Sequence, residues 1–149
     1  AYLKQALKPE FAERMPHLLR EVAAILEMPE FETLFCGHAR AEVPLVGTIR
    51  ASDGTEVEIS GQIDRLVVED NRVVIVDYKT NFHPPASVAE IPLEYRAQLC
   101  VYREMLKQIY PDREISAQLL WTAVPSLMEI PEKVLEETFA GLRPDGTSA

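Results

Sequence analysis

The sequence predicts an α/β domain in which a mixed β-sheet is flanked by helices. Three observations predict it: strand-like segments follow one another over residues 39–79, a helical pattern covers 91–110, and a further strand, turn and helix follow. Such an order is typical of a sheet covered by helices. At 149 residues with 47% hydrophobic residues the chain is long and apolar enough to bury a core. We therefore expect one domain, 1–149, with a loose tail at 141–149.

The helical segments are those in which apolar residues recur at three- and four-residue spacing. Residues 9–28 carry such a stripe, which includes Leu19 and Val22, although Pro16 interrupts it. Residues 91–110 form the clearest helix, since Pro92 suits a first turn and the apolar stripe extends from Tyr95 to Ile109. Residues 131–139 predict a final helix.

The strand-like segments cover 39–50, 55–69 and 72–79, and their turn signals predict a three-stranded antiparallel meander. The segment 73–78 is apolar on both faces, which is typical of a central strand that is covered on both sides. Residues 115–124 predict a further strand, and 127–130 a short partner for it.

The candidate catalytic residues lie on the hairpin that the second and third strands form. A two-residue turn at Asp70-Asn71 places Asp64 directly opposite Asp77, with Cβ atoms roughly 5 Å apart. Lys79 lies two residues beyond Asp77 and points to the same face. Two carboxylates and one lysine are therefore expected to converge at one end of the hairpin.

Two adjacent carboxylates repel each other unless one takes a proton or a cation lies between them. Their hard oxygens suit Mg²⁺ or Mn²⁺, which also bind phosphate and activate a bound water. Lys79 could orient that water or stabilise developing negative charge. These residues could hydrolyse a phosphodiester. The alternative is an ordinary surface hairpin with a Lys–Asp pair that contributes about 0–1 kcal/mol.

Glu42 is a possible third carboxylate on the first strand. A two-residue turn at Asp53-Gly54 pairs it with Arg65, on the face away from Asp64. A bulge, for which Gly61 is a candidate, would bring Glu42 to the site instead.

Other polar residues have structural as well as functional interpretations. Gln98 and Tyr102 share one face of the 91–110 helix, where both could simply pack at the edge of the core. We interpret His17 as a surface or packing residue of its helix, and His38 and His83 as solvated loop residues.

The net charge of −9 argues against independent binding of nucleic acid, because phosphate affinity comes mostly from Lys and Arg. Either the interpretation of the hairpin as a nuclease site is wrong, or other domains deliver the DNA. Cys36 and Cys100 lack metal-site spacing, so we expect free thiols, no iron–sulfur cluster and a cytoplasmic protein. No membrane span or signal peptide is visible, and the start without Met suggests a piece of a longer protein.

Three motifs occur in order: Gly61-x-Ile63-Asp64-Arg65, Asp77-Tyr78-Lys79-Thr80 and Gln98-Leu99-x-x-Tyr102-Arg103. Together they resemble the RecB-family nuclease domains of the PD-(D/E)XK superfamily, and most closely the C-terminal nuclease domains of AddA subunits of AddAB helicase–nucleases. The stretch from Ala41 to Leu45 resembles the segment that precedes these motifs there. The likeness runs from about residue 20 onward.

The resemblance implies a restriction-endonuclease-like αβββαβ core and a Mg²⁺-dependent (or Mn²⁺-dependent) DNA exonuclease. By position, Asp64, Asp77 and the main-chain carbonyl of Tyr78 would be metal ligands, and Lys79 the catalytic lysine. Glu42 matches a less constant acidic position.

Further implications concern DNA and partners. Gln98 and Tyr102 match a helix motif near the DNA path. The family has an upstream metal-binding histidine, which neither His17 nor His38 matches in context. The implied protein is an ATP-binding helicase–nuclease with an AddB-like partner, acting in double-strand-break repair and recombination. Two rivals remain: a stand-alone or CRISPR-type exonuclease, and a degenerate nuclease fold that serves as a docking module.

Overall fold

The computed structural model describes residues 16, 19, 20, 22, 23, 27–35, 38–81 and 83–142. Its elements, in chain order, are a first 3-10 helix Pro29–Phe35, β1 Ala39–Arg50, β2 Glu56–Val68, β3 Arg72–Lys79, a second 3-10 helix Val88–Glu90, α1 Leu93–Ile109, β4 Glu114–Trp121, β5 Ser126–Ile130 and α2 Glu132–Gly141. The predicted strands and the two later helices are confirmed to within three residues. No helix among these residues is long and apolar enough to cross a membrane.

The five strands form one mixed sheet in the order β1-β2-β3-β4-β5. The first three strands are antiparallel neighbours, as the predicted meander requires. Strand β4 lies parallel to β3 because α1 carries the chain back across the sheet, and β5 returns antiparallel to β4. The mixed α/β prediction is confirmed.

Both faces of the sheet are covered near its centre. Helices α1 and α2 pack on one face, here called the helix face, where the core includes Ile75, Leu99, Leu106 and Leu135. The first 3-10 helix packs on the other, here called the 3-10 face, through Phe31. The side chains of β3 alternate between the two clusters, and those from Val73 to Asp77 are all buried, which confirms its predicted central position.

Helix α1 is tied to its surroundings by a buried arginine. Arg103 is 2% exposed; its Nε donates to the carbonyl of Ile115 at 3.2 Å, and its Nη2 pairs with Glu132 at the start of α2. Such a charge is stable in the core only when its donors are paired. This arginine therefore links α1 to β4 and α2.

Two predicted apolar stripes are less buried than expected. Ile109, the last residue of α1, is 55% exposed. The helix predicted over 9–28 lies largely outside the described residues; Pro16, Leu19, Arg20, Val22, Ala23 and Glu27 are helical. Leu19 and Val22 are 59% and 46% exposed.

Candidate active site at the end of the β2–β3 hairpin

The β2–β3 register is the predicted one. Arg65 pairs with Val76 and Leu66 with Ile75, and the next step brings Asp64 level with Asp77, just past the last ladder pair. At that point the carboxylate of Asp64 bonds to the neighbouring strand, since the Tyr78 amide donates to its Oδ2 at 2.8 Å. The two-residue turn thus sets Asp64 beside Asp77.

Asp77 is a buried carboxylate, only 5% exposed. Burial raises the pKa of Asp77; the Lys79 ammonium, 2.5 Å from Oδ2, opposes this shift, and the nearby charge of Asp64 adds to it. When burial raises the pKa of a carboxylate more than its ion pair lowers it, the carboxylate binds a proton or a cation more readily than an exposed carboxylate does. This environment distinguishes the site from an ordinary surface hairpin.

Lys79 is held on two sides. Its side chain is 14% exposed, and its Nζ lies between the Asp77 carboxylate and the face of the Tyr95 ring, 4.0 Å from the ring centroid. Tyr95 is on the first turns of α1, three residues before Gln98. The sequence predicted Tyr95 only as part of the apolar stripe; the available signal was its place one helical turn before a motif residue.

Glu42 does not pair with Arg65, so that prediction is wrong. Ala41 lies opposite Arg65, one residue from the predicted register, because the chain between β1 and β2 is a five-residue loop, 51–55, rather than a two-residue turn. Glu42 falls level with Asp64 without a ladder partner, is exposed, and has a φ of 52°.

The backbone at Glu42 changes the face to which β1 points. Ala39 packs on the 3-10 face, whereas Val43 and Leu45 pack on the helix face, although all three are odd-numbered. In a regular strand such residues would share one face. The left-handed backbone of Glu42 lies at the point of change.

Strand β2 changes face at the same level. Ile63 packs on the helix face, and Val67 on the 3-10 face. The change therefore occurs at Asp64 rather than at Gly61, which pairs regularly with Leu45. The prediction of a bulge at Gly61 is wrong.

Gly61 serves a different purpose: it makes room for Tyr102 of α1. A Cβ at Gly61 would lie 2.5 Å from the Tyr102 hydroxyl and 2.9 Å from the nearest ring carbon. Tyr102 is 8% exposed, and Gln98 Nε2 donates to its hydroxyl at 3.4 Å. These contacts make Tyr102 a packing residue between α1 and β2. A DNA-binding role for Gln98 and Tyr102 stays a prediction.

On the 3-10 face, the neighbours of the two aspartates bond to each other. Arg65 Nε donates to the Tyr78 hydroxyl at 2.6 Å, and Arg65 Nη1 donates to the Leu34 carbonyl at 3.1 Å. The guanidinium also lies over the Phe35 ring, 4.6 Å from its centroid. This cluster ties the Asp64–Asp77 end of the hairpin to the first 3-10 helix.

The donor set for a metal is two carboxylates. In the described parts of the chain, no group of three or more His, Cys, Asp or Glu residues is placed to hold an ion. Asp64 and Asp77 are nevertheless suitable oxygen donors for Mg²⁺, which usually keeps several waters and needs only one or two protein carboxylates. They therefore fit such an ion as a partial shell.

Of the histidines that the structure describes, His38 and His83 do not complete this shell. His38 is exposed at the start of β1, where its carbonyl accepts from the Val68 amide at 3.4 Å, and His83 is exposed in the loop after β3. His17 lies outside the described residues.

Comparison with known proteins identifies the family of this chain. A family model described as the PD-(D/E)XK nuclease superfamily matches residues 1–140. A segment of 57 residues is 33% identical to an ATP-dependent helicase/nuclease subunit of Clostridioides difficile (strain 630). That segment covers 38% of this chain and only 4% of the relative. The crystal structure of SSO0001 aligns with 87% of this chain and 69% of its own, at 15% identity and a TM-score of 0.43. The family match spans nearly the whole chain, and on that basis the chain belongs to the PD-(D/E)XK nuclease superfamily.

Proposed function

We propose that this chain is a metal-dependent deoxyribonuclease domain that hydrolyses phosphodiester bonds at the end of the β2–β3 hairpin. The observation that carries the proposal is the meeting of Asp64, Asp77 and Lys79 at one place, in a chain whose superfamily consists of nucleases that generally use divalent metal ions.

In this proposal Asp64, Asp77 and the main-chain carbonyl of Tyr78 hold the metal, which we propose to be Mg²⁺, with Mn²⁺ as a substitute. When bound, the ion would lower the pKa of a water and offset charge on the phosphate. Exposed Glu42, level with Asp64, is a further carboxylate that could act through a water.

Other residues of the chain orient the two carboxylates and supply a donor of hydrogen bonds. Asp64 is oriented by the Tyr78 amide, and Asp77 by Lys79. Lys79 can donate from Nζ to the attacking water or to a phosphate oxygen, which stabilises negative charge as it develops. In the reaction a water oxygen bonds to phosphorus, one ester P–O bond breaks, and the leaving oxygen takes a proton.

The net charge of −9 bears on how DNA reaches the site. A chain this acidic gains little affinity from phosphate contacts by itself. The Clostridioides difficile relative is by name part of a helicase/nuclease. We therefore propose that a helicase motor feeds single strands to an AddA-like domain, with an AddB-like partner, acting as an exonuclease in double-strand-break repair. Gln98 and Tyr102 would lie near that DNA path.

The decisive experiment compares wild type with Asp64→Ala, Asp77→Ala and Lys79→Met on end-labelled single-stranded DNA, in the complete gene product, with Mg²⁺, Mn²⁺ or EDTA. We expect each substitution to lower the rate on the order of 10²-fold or more, and EDTA to abolish cleavage. Lys107→Met and Glu69→Ala are the matched controls, because both residues lie in partly buried ion pairs away from the site.

Calorimetric titration of Mn²⁺ supplies a second readout. Asp64→Ala and Asp77→Ala should weaken binding, whereas Glu69→Ala should not. Unchanged cleavage after Asp77→Ala would refute the site. Metal binding without cleavage in the complete gene product would favour a degenerate docking module, and cleavage in a gene product without helicase motifs would favour a stand-alone nuclease.

A further inference from the structure

We propose that Tyr95 is a positioning residue for Lys79: the face of its ring holds the ammonium so that its N–H groups point into the site. This inference rests on the proposed function, because it assigns Tyr95 a part in the same hydrolysis.

The contact has the geometry of a cation–π interaction. Lys79 Nζ lies 4.0 Å from the centre of the Tyr95 ring, well inside the distance at which the ring's negative face attracts an ammonium. Only 14% of the lysine side chain is exposed, so water screens this attraction little.

A lysine needs such a second contact because its charge sits on a flexible four-carbon chain. The other contact of Nζ is Asp77 Oδ2, at 2.5 Å. With this carboxylate as its only partner, the ammonium could swing about it and take many directions. The ring restricts these directions because it lies on a separate element, α1.

An aromatic face suits this task better than a polar group. An ammonium has three donors, and a carboxylate or hydroxyl in place of Tyr95 would take one of them. A ring face attracts the charge without accepting a strong hydrogen bond. Lys79 is thereby held while an N–H remains for a water or a phosphate oxygen.

The position of Tyr95 follows from the packing of α1. Tyr102, two turns further along this helix, rests against Gly61 of β2, where a Cβ would come within 2.5 Å of its hydroxyl. Arg103 ties the same helix to β4 through the Ile115 carbonyl. The helix is therefore anchored to the sheet beyond Tyr95, and its first turns carry the ring over Lys79.

The contact itself can be measured without metal or DNA. Protons above an aromatic ring resonate upfield, and residues 1–149 contain only five lysines, so the ¹H–¹³C spectrum of the complete gene product with ¹³C-lysine confined to this segment is simple. We expect one upfield pair of lysine Hε signals, identified by its loss in Lys79→Arg. Tyr95→Phe should keep the shift and Tyr95→Leu should remove it. An ordinary shift for Lys79 in wild type would overturn the proposal, whether or not any variant folds.

The consequence for catalysis is measured on end-labelled single-stranded DNA with Mg²⁺. Tyr95→Leu should lower kcat about ten-fold with KM within about two-fold, because the lost contact orients a catalytic group and does not bind substrate. Tyr95→Phe should restore most of the rate. A ring-fluorinated phenylalanine at this position, which keeps the shape but weakens the negative face, should fall between the two.

Tyr110→Leu is the matched control. Tyr110 lies at the other end of α1, about 22 Å along the helix, and its ring also faces a cation, Arg113, at 5.2 Å. This substitution should leave kcat and the Lys79 shift unchanged.

Different results would refute the proposed nuclease function and the positioning role of Tyr95. If wild type and Asp77→Ala cleave alike, the proposed function is wrong and the inference falls with it. If wild type cleaves, Asp77→Ala does not, and Tyr95→Leu keeps the wild-type kcat after the upfield shift is lost, the positioning role alone is refuted.

Discussion

Replacing Gly61 with alanine should destabilise the protein through a single identifiable clash. The new methyl carbon would lie 2.5 Å from the Tyr102 hydroxyl, 2.9 Å from one ring carbon and 3.0 Å from another. Ordinary contacts between such atoms are about 3.5–4.0 Å, so α1 and β2 must separate by roughly 1 Å or Tyr102 must leave its rotamer.

Overpacking of this kind costs about 1–3 kcal/mol in the free energy of unfolding. For a chain of this size each kcal/mol corresponds to a fall in Tm of about 2–4 °C. Urea unfolding followed by circular dichroism measures the loss directly. Because the same helix carries Tyr95, Gly61→Ala should also lower nuclease activity more than its stability loss explains.

A double substitution separates this clash from other effects. Tyr102→Phe removes the closest atom but leaves two ring carbons within 3.0 Å, so Gly61→Ala in that background should cost less but still be destabilising. Gly141→Ala is the control, since a Cβ there meets nothing within 4 Å, and it should be neutral or slightly stabilising. If Gly61→Ala lowers the free energy of unfolding equally with tyrosine and with phenylalanine at position 102, the clash is refuted. It is also refuted if Gly61→Ala does not change the free energy of unfolding.

Three further predictions concern charge and burial. The pKa of Asp77 is raised by burial, so the native state binds this proton more tightly than the unfolded chain, and stability falls as pH rises from the ordinary value of 3.8 through the folded pKa. In EDTA, Asp77→Asn should remove the fall in stability over this pH range. Near pH 7 the variant should be at least as stable as wild type, and a lower stability than wild type at that pH would contradict the prediction. Burial raises the pKa of the Cys100 thiol to about 12. In a variant in which the other cysteine, Cys36, is replaced by serine, we therefore expect this thiol to resist aromatic disulfide reagents at about pH 8 until urea unfolds the chain. Rapid native labelling would refute its burial. Arg65→Ala should lower the free energy of unfolding by about 1–3 kcal/mol, because it leaves part-buried partners of the guanidinium, such as the Tyr78 hydroxyl, unpaired. Arg65→Lys should not restore this stability. Arg50→Ala, which removes an exposed ion pair, should change the free energy of unfolding by less than about 1 kcal/mol.

Much of the fold follows from local patterns in the sequence. The strand bounds of β1 and β3 are those that alternation, apolar runs and turn residues predict, because each pattern reports on a few adjacent residues. Turn chemistry was less reliable at β1–β2. Asp53-Gly54 is a turn signal, but the loop takes five residues, and this shifted Glu42 by one position against β2.

The centre of the candidate site could be predicted from local sequence patterns. A two-residue turn at Asp70-Asn71 is enough to predict Asp64 level with Asp77, and the two-residue period of β3 predicts Lys79 on the face of Asp77, since both are properties of contiguous backbone. The surroundings of these residues depend on long-range packing. The ring of Tyr95 over Lys79 depends on where α1 docks on the sheet, which is set by contacts between segments far apart in the chain, and no local period encodes those contacts.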